Sequence, residues 1–85
     1  MGYHKREIKK GKLGTVSKIR EELEELEDAL DQGNRIMALC ELSDLYGAIE
    51  ALTSNMGMTM EDLSIMSDAT KRAFRTGRRV SACKE

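Results

Sequence analysis

Residues 16–30 read VSKIREELEELEDAL, and the spacing of their apolar residues decides the fold class. Five apolar residues follow one another at intervals of three or four, which places them along one stripe of an α-helix. They are Val16, Ile19, Leu23, Leu26 and Leu30. The glycine and asparagine at positions 33 and 34 are typical of a helix end. The pattern therefore predicts a first helix over residues 16–30.

Two further helices are predicted downstream of this segment. Residues 35–55 are rich in Leu, Ala, Ile and Met, and a break follows at residues 56–58. Thr59 and Asp62 have the spacing of a capping box, which indicates the start of a third helix that ends near Thr76. Strand and β-hairpin signals are absent. We expect an all-α fold: an antiparallel helical hairpin plus a third helix, completing a helical bundle by dimerisation.

The length and composition are those of one small domain. With 85 residues and 40% hydrophobic residues, the chain suits a helical domain that completes its core against a second copy. We expect a basic N-terminal arm over residues 1–14, an all-α domain over 15–77 and a basic C-terminal tail over 78–85. We expect His4 to lie in a loose arm without a catalytic role, and Cys40 and Tyr46 to be core residues.

The sequence also bears on location. No apolar run approaches the roughly 20 residues that a membrane span needs, and the basic start lacks the apolar stretch of a secretory signal. Two cysteines are too few for a disulfide framework. We therefore expect a cytoplasmic protein that does not bind membranes.

Charge is sorted along the chain, although it nearly cancels overall. There are 14 basic and 15 acidic residues, so an overall charge that coats nucleic acid is excluded. Residues 1–12 hold five basic residues and one acid, residues 21–31 hold seven acids and no base, and residues 71–84 hold six basic residues and no acid. This order predicts that a fold can bring a cationic segment beside an anionic one.

The second helix carries two acids on an apolar face. At 100° per residue, Glu41 and Asp44 share a stripe with Met37 and Ala48. Burying one ionised carboxylate without a partner costs several kcal/mol or more, and two carboxylates side by side also repel each other. Because this helix has no lysine or arginine after Arg35, the compensating cation must come from another segment or from solution.

The first helix offers matching carboxylates. Glu22 and Glu25 lie three residues apart on the flank of the apolar stripe. In an antiparallel hairpin they can face Glu41 and Asp44 across the helix contact. Four carboxylates on facing helices form an oxygen-rich cage, which is the ligand set that Mg²⁺ and Mn²⁺ prefer.

These residues also form two recognisable motifs. Glu21-Glu22-Leu23-Glu24-Glu25 fits E-E-x-x-E, Glu41-Leu42-Ser43-Asp44 fits E-x-x-D, and fifteen residues separate Glu25 from Glu41. In order and on consecutive helices, the two motifs resemble those of the MazG family of all-α nucleoside triphosphate pyrophosphatases. The resemblance covers about residues 13–79.

The resemblance implies a reaction and a site. Members of this family cleave the α–β phosphoanhydride of nucleoside or deoxynucleoside triphosphates to monophosphate and pyrophosphate, with Mg²⁺ held by the motif carboxylates at the interface of a dimer or tetramer. Carried onto this chain, the metal ligands are Glu22, Glu25, Glu41 and Asp44, and Mn²⁺ is a possible substitute. Glu21 and Glu22 are the implied catalytic residues, with Glu21 placed to orient or deprotonate the attacking water.

Basic residues would complete the neutralisation of a bound triphosphate. Arginine and lysine bind phosphate oxygens through charge-assisted hydrogen bonds. The candidate phosphate-binding residues are Lys18, Lys71, Arg72 and Arg75.

Three alternatives stay open. Within the same reaction class, the substrate is phosphoribosyl-ATP, because related folds with similar acidic motifs act on it. From a different class, the chain is a non-catalytic helical oligomerisation module whose acidic and basic ends pair between subunits. The weakest alternative is a regulator that binds nucleic acid through the basic ends, which the small number of aromatic residues disfavours.

Overall fold

A computed structural model describes residues 4–76, which form three α-helices and no β-strand within that range. Helix α1 spans Val16–Asp31, α2 spans Arg35–Asn55 and α3 spans Met60–Thr76. Helix α1 packs mainly on α2, whereas α3 contacts α2 but not α1. The predicted all-α class is confirmed. The tail predicted over residues 78–85 lies outside the described residues.

Both loops between helices close with the same hydrogen-bond pattern, a Schellman motif. After α1, Gly33 adopts a φ of +69°, its N–H donates to the Leu30 carbonyl over 3.0 Å, and the Asn34 N–H donates to the Ala29 carbonyl over 3.1 Å. After α2, Gly57 adopts a φ of +78° with the equivalent pair of bonds. Glycine enters this left-handed region without steric cost, so the predicted helix ends at both positions are confirmed.

Side chains cap the starts of α2 and α3. The Asn34 Oδ1 accepts a hydrogen bond from the Met37 N–H over 2.9 Å. At α3 the Asp62 N–H donates to Thr59 Oγ1 over 3.1 Å, and the Thr59 N–H donates back to Asp62 Oδ2 over 3.0 Å. This is the predicted capping box, in which two otherwise unpaired N–H groups are satisfied reciprocally.

Helix α1 buries its charged face within this chain. Its buried residues are Glu21, Glu22, Asp28 and Ala29. Three residues of its apolar stripe remain exposed, namely Val16, Leu23 and Leu30. The apolar periodicity predicted the helix correctly, but it does not mark the face that α1 turns toward α2.

The apolar core is correspondingly small. Among the described residues, Ala29, Met37 and Ala38 form one buried cluster with Leu26 packed against it, and Ala48 is buried as well. On α2, Ile36 is 79% exposed and Leu39 is 68% exposed. Cys40 and Tyr46 are also exposed, so the expectation that they belong to the core is wrong.

The segment before α1 lies against that helix. The Gly11 N–H donates to Glu21 Oε1 over 2.8 Å, and a Cβ on Gly11 would lie only 2.2 Å from the Ser17 carbonyl oxygen. Arg6 also pairs with Glu27 and Asp31 on the surface, but exposed ion pairs add little stability. The expectation of a loose arm is therefore wrong for this segment, because its backbone packs directly on the first turn of α1.

The close approach at Gly11 gives a testable prediction. We expect Gly11→Ala to destabilise the protein by about 1–3 kcal/mol, because the added methyl group clashes with backbone that cannot yield locally. Thermal unfolding followed by circular dichroism would show a drop in Tm of about 4–8 °C per kcal/mol. Gly47→Ala is the matched control. A Cβ at Gly47 has no atom within 4 Å, so this variant should gain about 0.5–1 kcal/mol of helix stability. A Gly11→Ala protein as stable as the wild type would contradict the packing of the arm.

Within residues 4–76, no helix combines the length and the apolar character that crossing a lipid bilayer requires.

Candidate metal centre

The four carboxylates predicted as metal ligands come together between α1 and α2. Glu22, Glu25, Glu41 and Asp44 each offer one oxygen, and these four atoms all lie within 4.8 Å of one another. The spacing of three residues within each pair keeps both of its members on one helix face. Packing of α1 on α2 then joins the two pairs.

Burial differs sharply across this cluster. The Glu41 residue is 1% exposed and Glu22 is 4% exposed, whereas Asp44 is exposed. Asp44 lines an open groove together with Lys18 and Glu22. The expectation that Asp44 shares the buried apolar stripe is corrected, because Asp44 lies at the solvent edge of the cluster.

The inner part of the cluster lacks a partner for its oxygens. Glu22 Oε1 and Glu41 Oε1 are both buried and make no hydrogen bond within the described residues. A buried acceptor without a donor costs about 1–3 kcal/mol, and more when the group is charged. Two such oxygens in one carboxylate cluster fit a hard divalent cation such as Mg²⁺ or Mn²⁺.

The environment disfavours ionisation of two of these carboxyls. Burial raises the pKa of Glu22, even though Lys18 Nζ lies 3.0 Å from Glu22 Oε2. Burial, reinforced by the neighbouring Glu41 carboxylate, also raises the pKa of Glu25. Among residues 4–76, two basic side chains pair with the four carboxylates, namely Lys18 and His4. Within residues 4–76, the four carboxylates therefore outnumber the basic side chains paired with them.

Glu21 lies apart from this cluster, in spite of its place in the first motif. Its carboxylate accepts hydrogen bonds from the Gly11 N–H and from Lys18 Nζ, and Lys10 Nζ lies 3.7 Å away. Burial opposes ionisation of Glu21, but the Gly11 and Lys18 hydrogen bonds outweigh burial and lower its pKa. Glu21 is thus an ionised carboxylate bound by the arm, and its catalytic role stays a prediction.

His4 is the residue that sequence reasoning missed. Its side chain is 7% exposed, with Nδ1 2.8 Å from Asp28 Oδ2 and Nε2 3.1 Å from Glu41 Oε2. The same Nε2 lies 3.9 Å from Glu25 Oε1. Burial lowers the pKa of His4, but the hydrogen bonds with Asp28 and Glu41 outweigh it, so the pKa is raised. The order of charged segments predicted a cationic partner for the acids, but nothing in it singled out His4 among the basic residues of the arm.

Asp28 was also missed, although its position offered a signal. It follows Glu25 at a spacing of three, and so continues the row of inward-facing acids on α1. Its Oδ2 accepts hydrogen bonds from the Lys5 N–H over 3.1 Å and from Gln32 Nε2 over 2.9 Å, in addition to its contact with His4. Asp28 therefore binds the arm to α1 beside the cluster of carboxylates.

The predicted phosphate-binding residues fall into two groups. Lys18 lies at the acid cluster, on the groove that Asp44 lines. Lys71, Arg72 and Arg75 are exposed on α3, which does not contact α1. Within the described part of one chain, the structure does not bring these three residues to the cluster, and their role stays a prediction.

The chain matches no protein-family model, no curated protein and no solved structure. The resemblance to the MazG family therefore rests on the two acidic motifs and their spacing alone. The geometry of the cluster is an independent observation, because it depends only on how α1 and α2 pack.

Proposed function

We propose that this chain is a Mg²⁺-dependent hydrolase that cleaves nucleoside or deoxynucleoside triphosphates at the α–β phosphoanhydride. One observation supports the proposal above all: four carboxylates from two helices converge within 4.8 Å, and two of their oxygens are buried with no hydrogen-bond donor among residues 4–76. A triphosphate is repelled by such a cluster unless a bound cation reverses the local charge. The motif resemblance supplies the choice of bond and of substrate.

The chain's own residues divide the work in this proposal. Glu22, Glu25, Glu41 and Asp44 would hold the metal, which would polarise the α-phosphoryl group and lower the pKa of a bound water. Buried Glu41 would keep bulk water from the inner side of the cluster, and exposed Asp44 would meet the incoming phosphates. The resemblance gives Glu21 the role of orienting or deprotonating the attacking water; its lowered pKa and its place apart from the cluster favour a positioning role, in which it holds Lys18 beside the groove. Lys18 would bind a phosphate oxygen at the edge of the groove.

The proposal includes the relative direction of the two helices that carry the site. We infer that α1 and α2 form the antiparallel hairpin, because only residues 32–34 connect them and Asn55 Nδ2 donates to the Gly14 carbonyl over 2.9 Å. That bond joins the last residue of α2 to a residue just before α1.

Self-association completes the proposal. Exposed Leu30, Ile36, Leu39 and Leu42 line one shallow surface on α1 and α2. Exposed apolar surface of this kind marks a protein contact, and we infer that a second copy covers it in a dimer or tetramer. A second copy is also the source from which Lys71, Arg72 and Arg75 would reach the phosphates. The nucleotide pool that such an enzyme would act on lies in the cytoplasm.

Product analysis tests the reaction. Purified protein with Mg²⁺ is incubated with a panel of nucleoside triphosphates, deoxynucleoside triphosphates and phosphoribosyl-ATP. We expect monophosphate and pyrophosphate in equal amounts, and turnover only when the divalent ion is present. Orthophosphate as the first product would contradict the proposal, and turnover of phosphoribosyl-ATP alone would select that substrate instead.

The exposed apolar surface favours a second candidate function, a non-catalytic assembly module. Both candidates predict that Leu39→Lys shifts the oligomer toward monomer, because it places a charge in a face that must be desolvated. Sedimentation velocity would detect the shift, and Glu50→Lys on an exposed position of the same helix is the matched control. A wild type that associates independently of Mg²⁺, dissociates in high salt and hydrolyses none of the panel would favour the assembly module. A Leu39→Lys protein that associates like the wild type would contradict self-association through this face.

A further inference from the structure

The arm brings a ring nitrogen into the acid cluster. His4 Nε2 lies 3.1 Å from Glu41 Oε2 and 3.9 Å from Glu25 Oε1, and one ligand atom from each of these three residues lies within 4.8 Å of the other two. Ligand atoms that bind one ion at about 2.1 Å can lie no more than about 4.2 Å apart. Both distances from the imidazole fall inside this limit.

Asp28 holds the imidazole as metal-binding sites do. Histidine ligands commonly donate their second ring N–H to a carboxylate, which sets the tautomer and turns the other nitrogen toward the metal. Asp28 Oδ2 lies 2.8 Å from His4 Nδ1, and Asp28 is itself fixed by the Lys5 N–H and Gln32 Nε2. This arrangement leaves Nε2 directed at Glu41.

A second observation points to a ligand rather than to a packing contact. The Glu41 side chain is 99% buried, and its Oε1 has no hydrogen-bond partner in the described part of the chain, although Oε2 contacts His4. Glu41 thus has a second carboxylate oxygen beside the imidazole that can bind an ion. If both oxygens of Glu41 were hydrogen-bonded, the contact with His4 would be enough to explain its burial.

We propose that His4, Glu25 and Glu41 form a transition-metal site, with Asp28 as the residue that orients His4. The site takes an ion that accepts an imidazole ligand, such as Mn²⁺, Fe²⁺, Co²⁺ or Zn²⁺. Mg²⁺ prefers oxygen ligands and gains little from the imidazole. The proposal deepens the proposed function, on which its catalytic meaning rests, by assigning the metal preference to the arm.

Metal affinity measured without nucleotide tests the site. Co²⁺ and Mg²⁺ are titrated separately by calorimetry into tag-free wild type, His4→Ala and Asp28→Asn at one fixed pH. We expect His4→Ala to weaken Co²⁺ binding by about 10–100-fold, Asp28→Asn to weaken it by about 10-fold, and Mg²⁺ binding to change much less. Lys5→Ala and Glu27→Gln, at neighbouring exposed positions, are the matched controls. Circular dichroism shows whether each variant is folded.

A spectroscopic measurement on the wild type removes the dependence on variants. The chain contains a single histidine, so ¹⁴N coupling of imidazole to bound Mn²⁺ in pulsed electron paramagnetic resonance must come from His4. Absence of this coupling would overturn the proposal. So would unchanged Co²⁺ affinity in folded His4→Ala, or a rise in both affinities, which would make His4 a competitor of the ion. Loss of Co²⁺ affinity in His4→Ala supports the site even if the wild type hydrolyses no nucleotide, an outcome that would end the proposed function alone.

Discussion

Glu41→Gln is expected to lower Mg²⁺-dependent hydrolysis by at least about 100-fold while leaving the metal-free protein more stable than the wild type. Glu41 is 1% exposed, and one of its carboxylate oxygens receives no hydrogen bond from any described residue. An amide in its place keeps an oxygen that accepts from His4, and its N–H₂ can donate to Glu25. Removing one negative charge from a crowded cluster also relieves repulsion.

Opposite signs of the two effects would indicate a site that sacrifices stability for function. We expect a gain of about 1 kcal/mol without metal, seen as a rise of about 4–8 °C in Tm. Initial rates of pyrophosphate release measure the activity. Glu50→Gln, an exposed acid on the same helix, should change neither quantity. A Glu41→Gln protein with wild-type turnover and unchanged Mg²⁺ affinity would show that the carboxylate cluster is not the metal centre.

Mg²⁺ is expected to raise the Tm of the wild type by more than about 10 °C at pH 8 when present at about 100 times its Kd. At pH 5 the effect should be much smaller, because protons compete with the ion for the same carboxylates. Differential scanning calorimetry over this pH range, with and without Mg²⁺, measures both effects.

The directions of the pKa shifts determine whether the stability of the metal-free protein rises or falls with pH. The pKa values of Glu22, Glu25 and His4 are raised, so their stabilising contributions are present below the ordinary values of 4.5 and 6.5 and are lost as the pH rises through the folded-state values. The pKa values of Glu21 and Asp28 are lowered, so their contributions are complete above 4.5 and lost only in stronger acid. Between pH 5 and pH 8, stability without metal should therefore fall.

Two variants sharpen this measurement. Glu25→Gln removes one of the raised carboxyls, so we expect it to flatten the fall in Tm between pH 5 and pH 8 and to reduce the effect of Mg²⁺. Glu61→Gln, at an exposed position of α3, should leave both unchanged. A metal-free wild type whose Tm rises steadily toward pH 8 would contradict the carboxyl environment described above.

Local signals in the sequence were sufficient to predict the helices. Apolar spacing, Gly33 and Gly57, and the Thr59–Asp62 capping box depend on residues within a few positions of one another. The grouping of Glu22, Glu25, Glu41 and Asp44 needed one further step, which was to turn two charged helix faces toward each other.

The face that α1 buries could not be predicted from local sequence signals. Apolar periodicity assumes that a helix turns its leucines inward, but Leu23 and Leu30 are exposed while Glu21 and Glu22 are buried. A helix contact that gathers charge reverses the usual preference and leaves part of the apolar side exposed. The position of His4 could not be predicted from the sequence either, because it depends on how residues 4–13 cross α1 rather than on the spacing of residues along the chain.

The arm is held to α1 by carboxylates that accept from backbone amides. The Lys5 N–H donates to Asp28 and the Gly11 N–H donates to Glu21, so neither amide belongs to a helix ladder. Amides of this kind exchange their hydrogens with solvent only when the segment that carries them detaches. Because both bonds and the His4 contacts lie on one stretch of backbone, the amides at positions 5 and 11 should show one common protection factor against deuterium exchange, larger than the protection at the ends of the helices. Deuterium exchange at these two amides would then report a single opening motion that exposes the acid cluster.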